Sequence, residues 1–141
     1  MKKIWAVLPK RDVMFILFLF VMTVIIAFFD GANAVKVSFR KESVDIRADK
    51  YSMNIPYDMV TRAELVDLPQ FGEPIDGMGN QSVHTGFWKN GTWGEYYICV
   101  DSDAKNGIVT YLNDGRIFVF NCKNEDKTQK IFEEFLAYLE P

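Results

Sequence analysis

The sequence predicts a membrane-spanning helix followed by a mainly-β domain that closes on one amphipathic helix. Three observations carry this: an uncharged apolar run from Val13 to Phe29, short alternating runs punctuated by Asn-Gly and Asp-Gly pairs beyond Val35, and a helical apolar period after Asp126.

The run Val13–Phe29 has Thr23 as its only polar member and follows Lys10, Arg11 and Asp12. Its seventeen residues would make about 26 Å of helix at ~1.5 Å per residue, just under the ~30 Å hydrocarbon layer of a bilayer. Ala32-Asn33-Ala34 also reads as a signal-peptidase site, so a signal peptide cut after Ala34 is the alternative to a retained anchor. Length favours the anchor, because signal h-regions run about 7 to 15 residues. Lys2, Lys3, Lys10 and Arg11 precede the span, and this bias places the C-terminal domain outside the cytoplasm. Trp5, in the apolar stretch Ile4–Leu8, reads as an interfacial anchor or as an ordinary flank. The expected organisation is a basic flank over 1–12, a transmembrane helix over 13–29, a linker over 30–34 and a β domain over 35–141. The expected location is the cell membrane, with a single pass.

Val35–Pro141 is 107 residues, enough for one small domain. With Lys2, Lys3, Lys10, Arg11, Asp12 and Asp30 set aside, it holds 12 basic and 17 acidic residues, a net charge of −5. Its basic residues are scattered singly, which excludes the electrostatic footprint of a nucleic-acid binder and gives no general attraction to anionic lipid. The two cysteines, Cys99 and Cys122, cannot build a disulfide framework. In a sequential meander they would sit two strands, or roughly 10 Å, apart. Buried free thiols are expected, with pairing outside the cytoplasm as the alternative.

Val35, Val37 and Phe39 alternate with polar residues and predict a half-buried strand; Val44 and Ile46 repeat the pattern after Lys41-Glu42-Ser43, giving a hairpin. Tyr51, Met53 and Ile55 alternate before Pro56, and Val60–Leu68 predicts a longer strand ending at Pro69. The stretch 72–86, GEPIDGMGNQSVHTG, is rich in glycine and reads as a mobile loop. Asn90-Gly91, Asn106-Gly107 and Asp114-Gly115 each read as a type I′ turn, since Asn, Asp and Gly tolerate φ > 0. The runs Tyr96–Val100, Ile108–Leu112 and Ile117–Phe120 would then form an antiparallel meander. Finally, Asp126 with Gln129 three residues on has capping-box spacing, and Ile131, Phe132, Phe135, Leu136 and Leu139 share one helix face.

About seven antiparallel strands followed by one amphipathic helix is the element order of a pleckstrin-homology-like barrel. The segments Ile55–Val60 (IPYDMV) and Gly115–Asn121 (GRIFVFN), with GFWKNGTWGEYYICV between them, resemble the bacterial pleckstrin-homology family of membrane-anchored proteins. The resemblance covers about residues 35–140 and implies a barrel plugged at one end by the helix, a bacterial source, and no catalytic residue. Eukaryotic relatives that bind phosphoinositides use clustered Lys and Arg in the first hairpin loop. Here Arg40 and Lys41 are followed by Glu42, so headgroup binding is not carried over.

No residue set names a reaction. His84 is the only histidine, lies in the glycine-rich stretch and reads as a solvated loop residue. Asp101-Ser102-Asp103 lacks the spacing and closing Glu of an EF-hand and reads as a polar hairpin end. Ser, His and Asp occur without a nucleophile elbow. No catalytic, cofactor or metal residue is therefore expected. If Asn90-Gly91 is a two-residue turn, Trp88 faces Trp93 and the pair either pins the hairpin or forms an exposed aromatic patch. Trp88, Trp93, Phe71 and Met78 are the candidate partner-binding residues. Asn90-Gly91-Thr92 and Asn80-Gln81-Ser82 match glycosylation sequons, a chance match in a bacterial chain. The expected function is a membrane-anchored, non-enzymatic module that binds a protein or peptide at the cell envelope. The alternatives are a sensory module with a small ligand in the barrel mouth or beneath the 72–86 loop, and a secreted protein if the leader is cleaved.

Overall fold

The computed structural model describes residues 9–32 and 34–141, and for residues 27–32 the backbone alone. Lys2, Lys3, Trp5 and the Ile4–Leu8 stretch lie outside the described residues, as does Asn33 of the expected cleavage site. The chain divides into two compact units, Met1–Ala32 and Asn33–Pro141.

In the first unit Lys10–Ala32 forms one helix, α1. The described side chains from Val13 to Ile26 are all exposed, and the Thr23 hydroxyl donates back to the Leu19 carbonyl at 2.8 Å. Among the described residues no helix is long and apolar enough to cross a membrane. This overturns the expected transmembrane helix over Val13–Phe29 and, with it, the single-pass anchoring at the cell membrane.

The second unit contains nine strands rather than about seven. They are β1 (Lys36–Phe39), β2 (Ser43–Ala48), β3 (Tyr51–Pro56), β4 (Val60–Asp67), β5 (Glu73–Gly79), β6 (Val83–Asn90), β7 (Gly94–Asp101), β8 (Asn106–Leu112) and β9 (Ile117–Phe120), followed by the helix α2 (Glu125–Leu139). Strands β1-β2-β3 make one sheet and β4-β8-β9-β7-β6-β5 another. Neither sheet closes, so the expected pleckstrin-homology-like barrel is not formed. The break falls at Pro56, which cannot donate to a ladder, and at the 3-10 turn Tyr57–Met59 that carries the chain from one sheet to the other.

The two sheets bury one another's inner faces. Val44, Ile46, Met53 and Ile55 of the small sheet pack with Cys99, Ile108, Phe118 and Phe120 of the large one, and Phe135 of α2 enters the same cluster fully buried. Phe135 meets Phe120 edge-on at 5.7 Å. The helix therefore packs through Phe135 with Ile131, Phe132 and Leu139 partly buried, while Leu136 stays exposed. Its N-cap is Asn124, whose side chain accepts from the Lys127 N–H, and not the expected Asp126.

The outer face of the large sheet is buried as well. Trp88, Tyr96, Ile98, Val100, Val109 and Val119 form a second cluster there. The cover comes from the connection between β4 and β5, which lie at opposite edges of the sheet although they are consecutive in sequence. Six Cα steps from Asp67 to Glu73 reach about 20 Å, whereas five strand spacings of a flat sheet need about 24 Å. The sheet is therefore coiled, and residues 68–72 cross its concave face as a strap. The Leu68 N–H donates to the Lys105 carbonyl at 2.8 Å, the Asn90 amide to the Gln70 carbonyl at 3.2 Å, and the Tyr96 hydroxyl to the Phe71 carbonyl at 2.6 Å.

The expected β7-β8-β9 meander is also corrected. Strand β9 pairs with β8 antiparallel and inserts between β8 and β7, running parallel to β7 with Cys99 opposite Phe120. Asn106-Gly107 is therefore the start of a strand and not a turn; the reversal occupies Ser102–Lys105, with Asp101 accepting from the Asp103 N–H at 2.9 Å. Asn121, fully buried at the end of β9, accepts from the Asp101 N–H at 2.7 Å and donates to the Asp101 and Asn106 carbonyls at 2.9 and 3.2 Å. It supplies the partners that the diverging ends of β7 and β8 cannot give each other. Asp114-Gly115 does turn the chain between β8 and β9, with only the glycine at positive φ. Cys99 lies on β7 and Cys122 lies two residues past the end of its neighbour β9, not two strands away, and both thiols are free: Cys99 is buried, Cys122 half-buried. Burial pushes the Cys99 thiol up to about 12, which keeps it protonated and unreactive.

Candidate functional site

The expected loop over residues 72–86 is a β-hairpin, β5 with β6, and its glycines are structural. An alanine Cβ at Gly77 would lie 2.5 Å from Trp88 Nε1 and from the Thr85 carbonyl oxygen; one at Gly79 would lie 2.7 Å from the His84 ring and about 3.0 Å from the Trp88 indole. The neighbouring strand's indole lies flat across β5, and only glycine leaves it room. Gly86, at φ +100, stands where a Cβ would meet the Asp76 carbonyl and Gly77 Cα, both at 2.5 Å. Asn80 closes the turn, its side-chain oxygen accepting from the Ser82 and Val83 N–H groups at 2.7 and 2.8 Å.

On the strap side the hairpin gathers three rings. Phe71 lies 4.5 Å from His84 and 6.5 Å from Trp88, with His84 and Trp88 5.4 Å apart. The Trp88 indole donates to the Thr85 carbonyl at 2.9 Å. His84 is therefore not a solvated loop residue. It is half-buried, its Nδ1 lies 3.2 Å from the Ser102 hydroxyl, and burial holds its pKa below the ordinary value. The Ser102–His84 pair has nothing beyond it: the described hydrogen bonds give the second ring nitrogen no partner, so no third group orients the imidazole as a general base. No group of three His, Cys, Asp or Glu side chains among the described residues is placed to hold a metal.

The expected two-residue turn at Asn90-Gly91 is corrected too. Asn90 pairs with Gly94 across three loop residues, and its side-chain oxygen accepts from the Thr92 and Trp93 N–H groups at 3.1 and 2.8 Å. Trp88 is thus opposite Tyr96, while Trp93 packs edge-on against Tyr96 at 5.0 Å. Of the four candidate residues, Phe71 and Trp88 come together, Trp93 joins the same concave cluster, and Met78 stands apart on the other face, 74% exposed.

Met78 lines a cleft of about 440 Å³ between the β5–β6 hairpin and the tip of β2–β3. The tip is a two-residue turn in which Asp49 adopts φ +52, a conformation Asp tolerates. Asp49, Lys50 and Tyr51 form one wall; Asp76, Met78 and Thr85 form the other, with Gly77 and Gly86 between. Burial, then the neighbouring Cys99, Tyr97 and Asp76, pushes the Tyr51 hydroxyl up to about 12, so it is protonated and able to donate. Shallower depressions of about 710 and 640 Å³ border the strap. Of its lining residues Met78 alone was a sequence candidate; the opposite wall had no signal, because the two walls lie about 25 residues apart and meet only when the two sheets pack. No family model, no curated protein and no solved structure matches this chain.

Proposed function

We propose that this chain is a non-enzymatic binding module that takes a peptide or protein partner in the cleft between the β2–β3 tip and the β5–β6 hairpin. The observation that carries the reading is the make-up of the cleft. Its two walls come from different sheets, a protonated Tyr51 hydroxyl and a few carboxylates supply orientation, and Met78 supplies an exposed apolar, adaptable contact. Nothing in it is arranged for acid–base or nucleophilic chemistry, since the histidine–serine pair lies on the opposite face of the hairpin. A small ligand is a second reading, favoured by the volume, which falls within the ~300–1,000 Å³ usual for such sites.

Amide shift mapping on the full chain tests both. A panel of short peptides and one of small aromatic and aliphatic fragments are titrated in turn. Shifts concentrated at Tyr51, Met78 and Thr85, lost on Tyr51→Ala, support the cleft; shifts confined to the strap side, or absent with both panels, overturn it.

A further inference from the structure

The outer edge of β5 has no strand beside it. Every residue of β5 is exposed except half-buried Gly77. In the β unit the large apolar side chains left exposed among the described residues are Ile75, Met78, Leu136 and Tyr138, and two of these four lie on β5. The other sheet edges are blunter. β1 is four residues long and carries Lys36; β3 ends at Pro56; β4 presents the Arg62–Glu64 ion pair and lies against α2.

Edge strands left open are templates for another chain, and proteins block them with proline, bulges and charge. β5 is blocked in its first half only. Pro74 lacks an N–H, and the register with β6 shifts between Pro74 and Asp76. From Asp76 to Gly79 the pairing is regular, and glycines on either side of Met78 leave the backbone unscreened by side chains. The same stretch lines the cleft, so a strand added here would place alternate side chains into it.

Charge selects the occupant. Asp76 lies on β5, Asp49 stands on the opposite wall of the cleft, and Lys50 is the one opposing charge among the cleft residues. A second copy of this chain, paired two-fold about the middle of β5, would set Asp76 against its own symmetry mate, and each β unit carries a net charge of −5. A basic segment meets no such repulsion.

We infer that β5 recognises an extended segment of a protein partner by strand addition, the segment turning two side chains two residues apart toward the cleft, an aliphatic one seated between Met78 and Tyr51 and a basic one beside Asp76. This rests on the reading of the cleft as a binding site and specifies the partner.

The test uses the full chain and three synthetic peptides: one whose cleft-facing side chains are valine and lysine in turn, with threonine at the positions between, the same peptide N-methylated along one edge, and its lysine-to-glutamate counterpart. The valine–lysine peptide should shift the Asp76–Gly79 amides and weaken as salt rises. N-methylation of the pairing edge, or lysine-to-glutamate exchange, should each cost at least about tenfold in affinity. Met78→Ser, at an exposed position, should weaken the first peptide without unfolding the chain. Equal binding by the N-methylated peptide overturns strand addition and leaves the cleft standing. Fragments that shift Tyr51 and Thr85 while no peptide binds do the same. If neither peptides nor fragments reach the cleft, both readings fail. A dimer in sedimentation that Met78→Lys dissolves would make a second copy the occupant and overturn the inference.

Discussion

β7 and β5 lie two places apart in one sheet, yet they solve opposite problems. β7 is hydrogen-bonded on both sides, with the small sheet over one face and the strap over the other, and Tyr96, Ile98, Cys99 and Val100 are all inaccessible. β5 has one hydrogen-bonded neighbour and not one buried residue. The difference shows in composition. A strand covered on both faces can be apolar without alternation, as YYICV is, whereas β5 is glycine-rich and held by the tryptophan of its neighbour. Stability and accessibility are thus divided between strands about 10 Å apart at ~4.8 Å per spacing.

Ile98→Ala gives the sharpest test of that division. It opens a cavity at a fully buried site and should cost about 2–5 kcal/mol in urea denaturation. A loss below about 1 kcal/mol would show that the concave cluster is not a close-packed core. Asn121→Ala should follow at about 2–3 kcal/mol, since it strands the Asp101 and Asn106 backbone groups in a dry setting. Gly77→Ala probes the boundary between the two regimes: displacing Trp88 should cost about 1–3 kcal/mol and shift its fluorescence.

Two smaller effects complete the series. Burial lowers the His84 pKa, so the unfolded chain takes up that proton at a higher pH than the folded one. Its contribution is therefore complete above ~6.5 and is lost as pH falls through the depressed folded value. Asp101, raised by burial, acts in the opposite sense at lower pH, near and above ~4. A Tm series between about pH 5 and 7 should slope upward in the parent and flatten in His84→Gln. Met78→Ser should change stability least, within about 0.5 kcal/mol, because the side chain is 74% exposed.

Where the sequence signal was periodic and local, it was readable. The strands around Val44, Ile55, Ile98 and Phe118 and the α2 face that buries Phe135 all follow from alternation or helical spacing. Glycine misled in 72–86. It commonly marks loops, but here Gly77 and Gly79 make room for an indole contributed by a different strand, a relation no local window contains. Asn106-Gly107 misled for a related reason: the dipeptide permits a turn, and the crossover that places β9 between its neighbours requires a strand there instead. The cap moved from Asp126 to Asn124 because Asn124 takes extended backbone, which frees its side chain to reach the Lys127 N–H. The cleft depends on how the two sheets pack and the strap on which edges of the coiled sheet approach each other, and nothing short-range encodes either.

The insertion of β9 has a consequence for the order of events when the chain is made. β4 pairs only with β8, while β8 and β7 are joined through β9, so the large sheet has no continuous ladder until residue 120 is available. A ribosome-bound chain ending near residue 112 can pair β4 with β8 but leaves the edges of β8 and β7 that β9 will join unpaired, and such exposed edges invite wrong pairings. Protection from a protease should therefore appear abruptly as stalled chains are lengthened past Phe120 and clear the exit tunnel. Gradual acquisition strand by strand would show that the wedge is not the closing step. Folding of this sheet is a late and collective event, completed by four residues near the end of the chain.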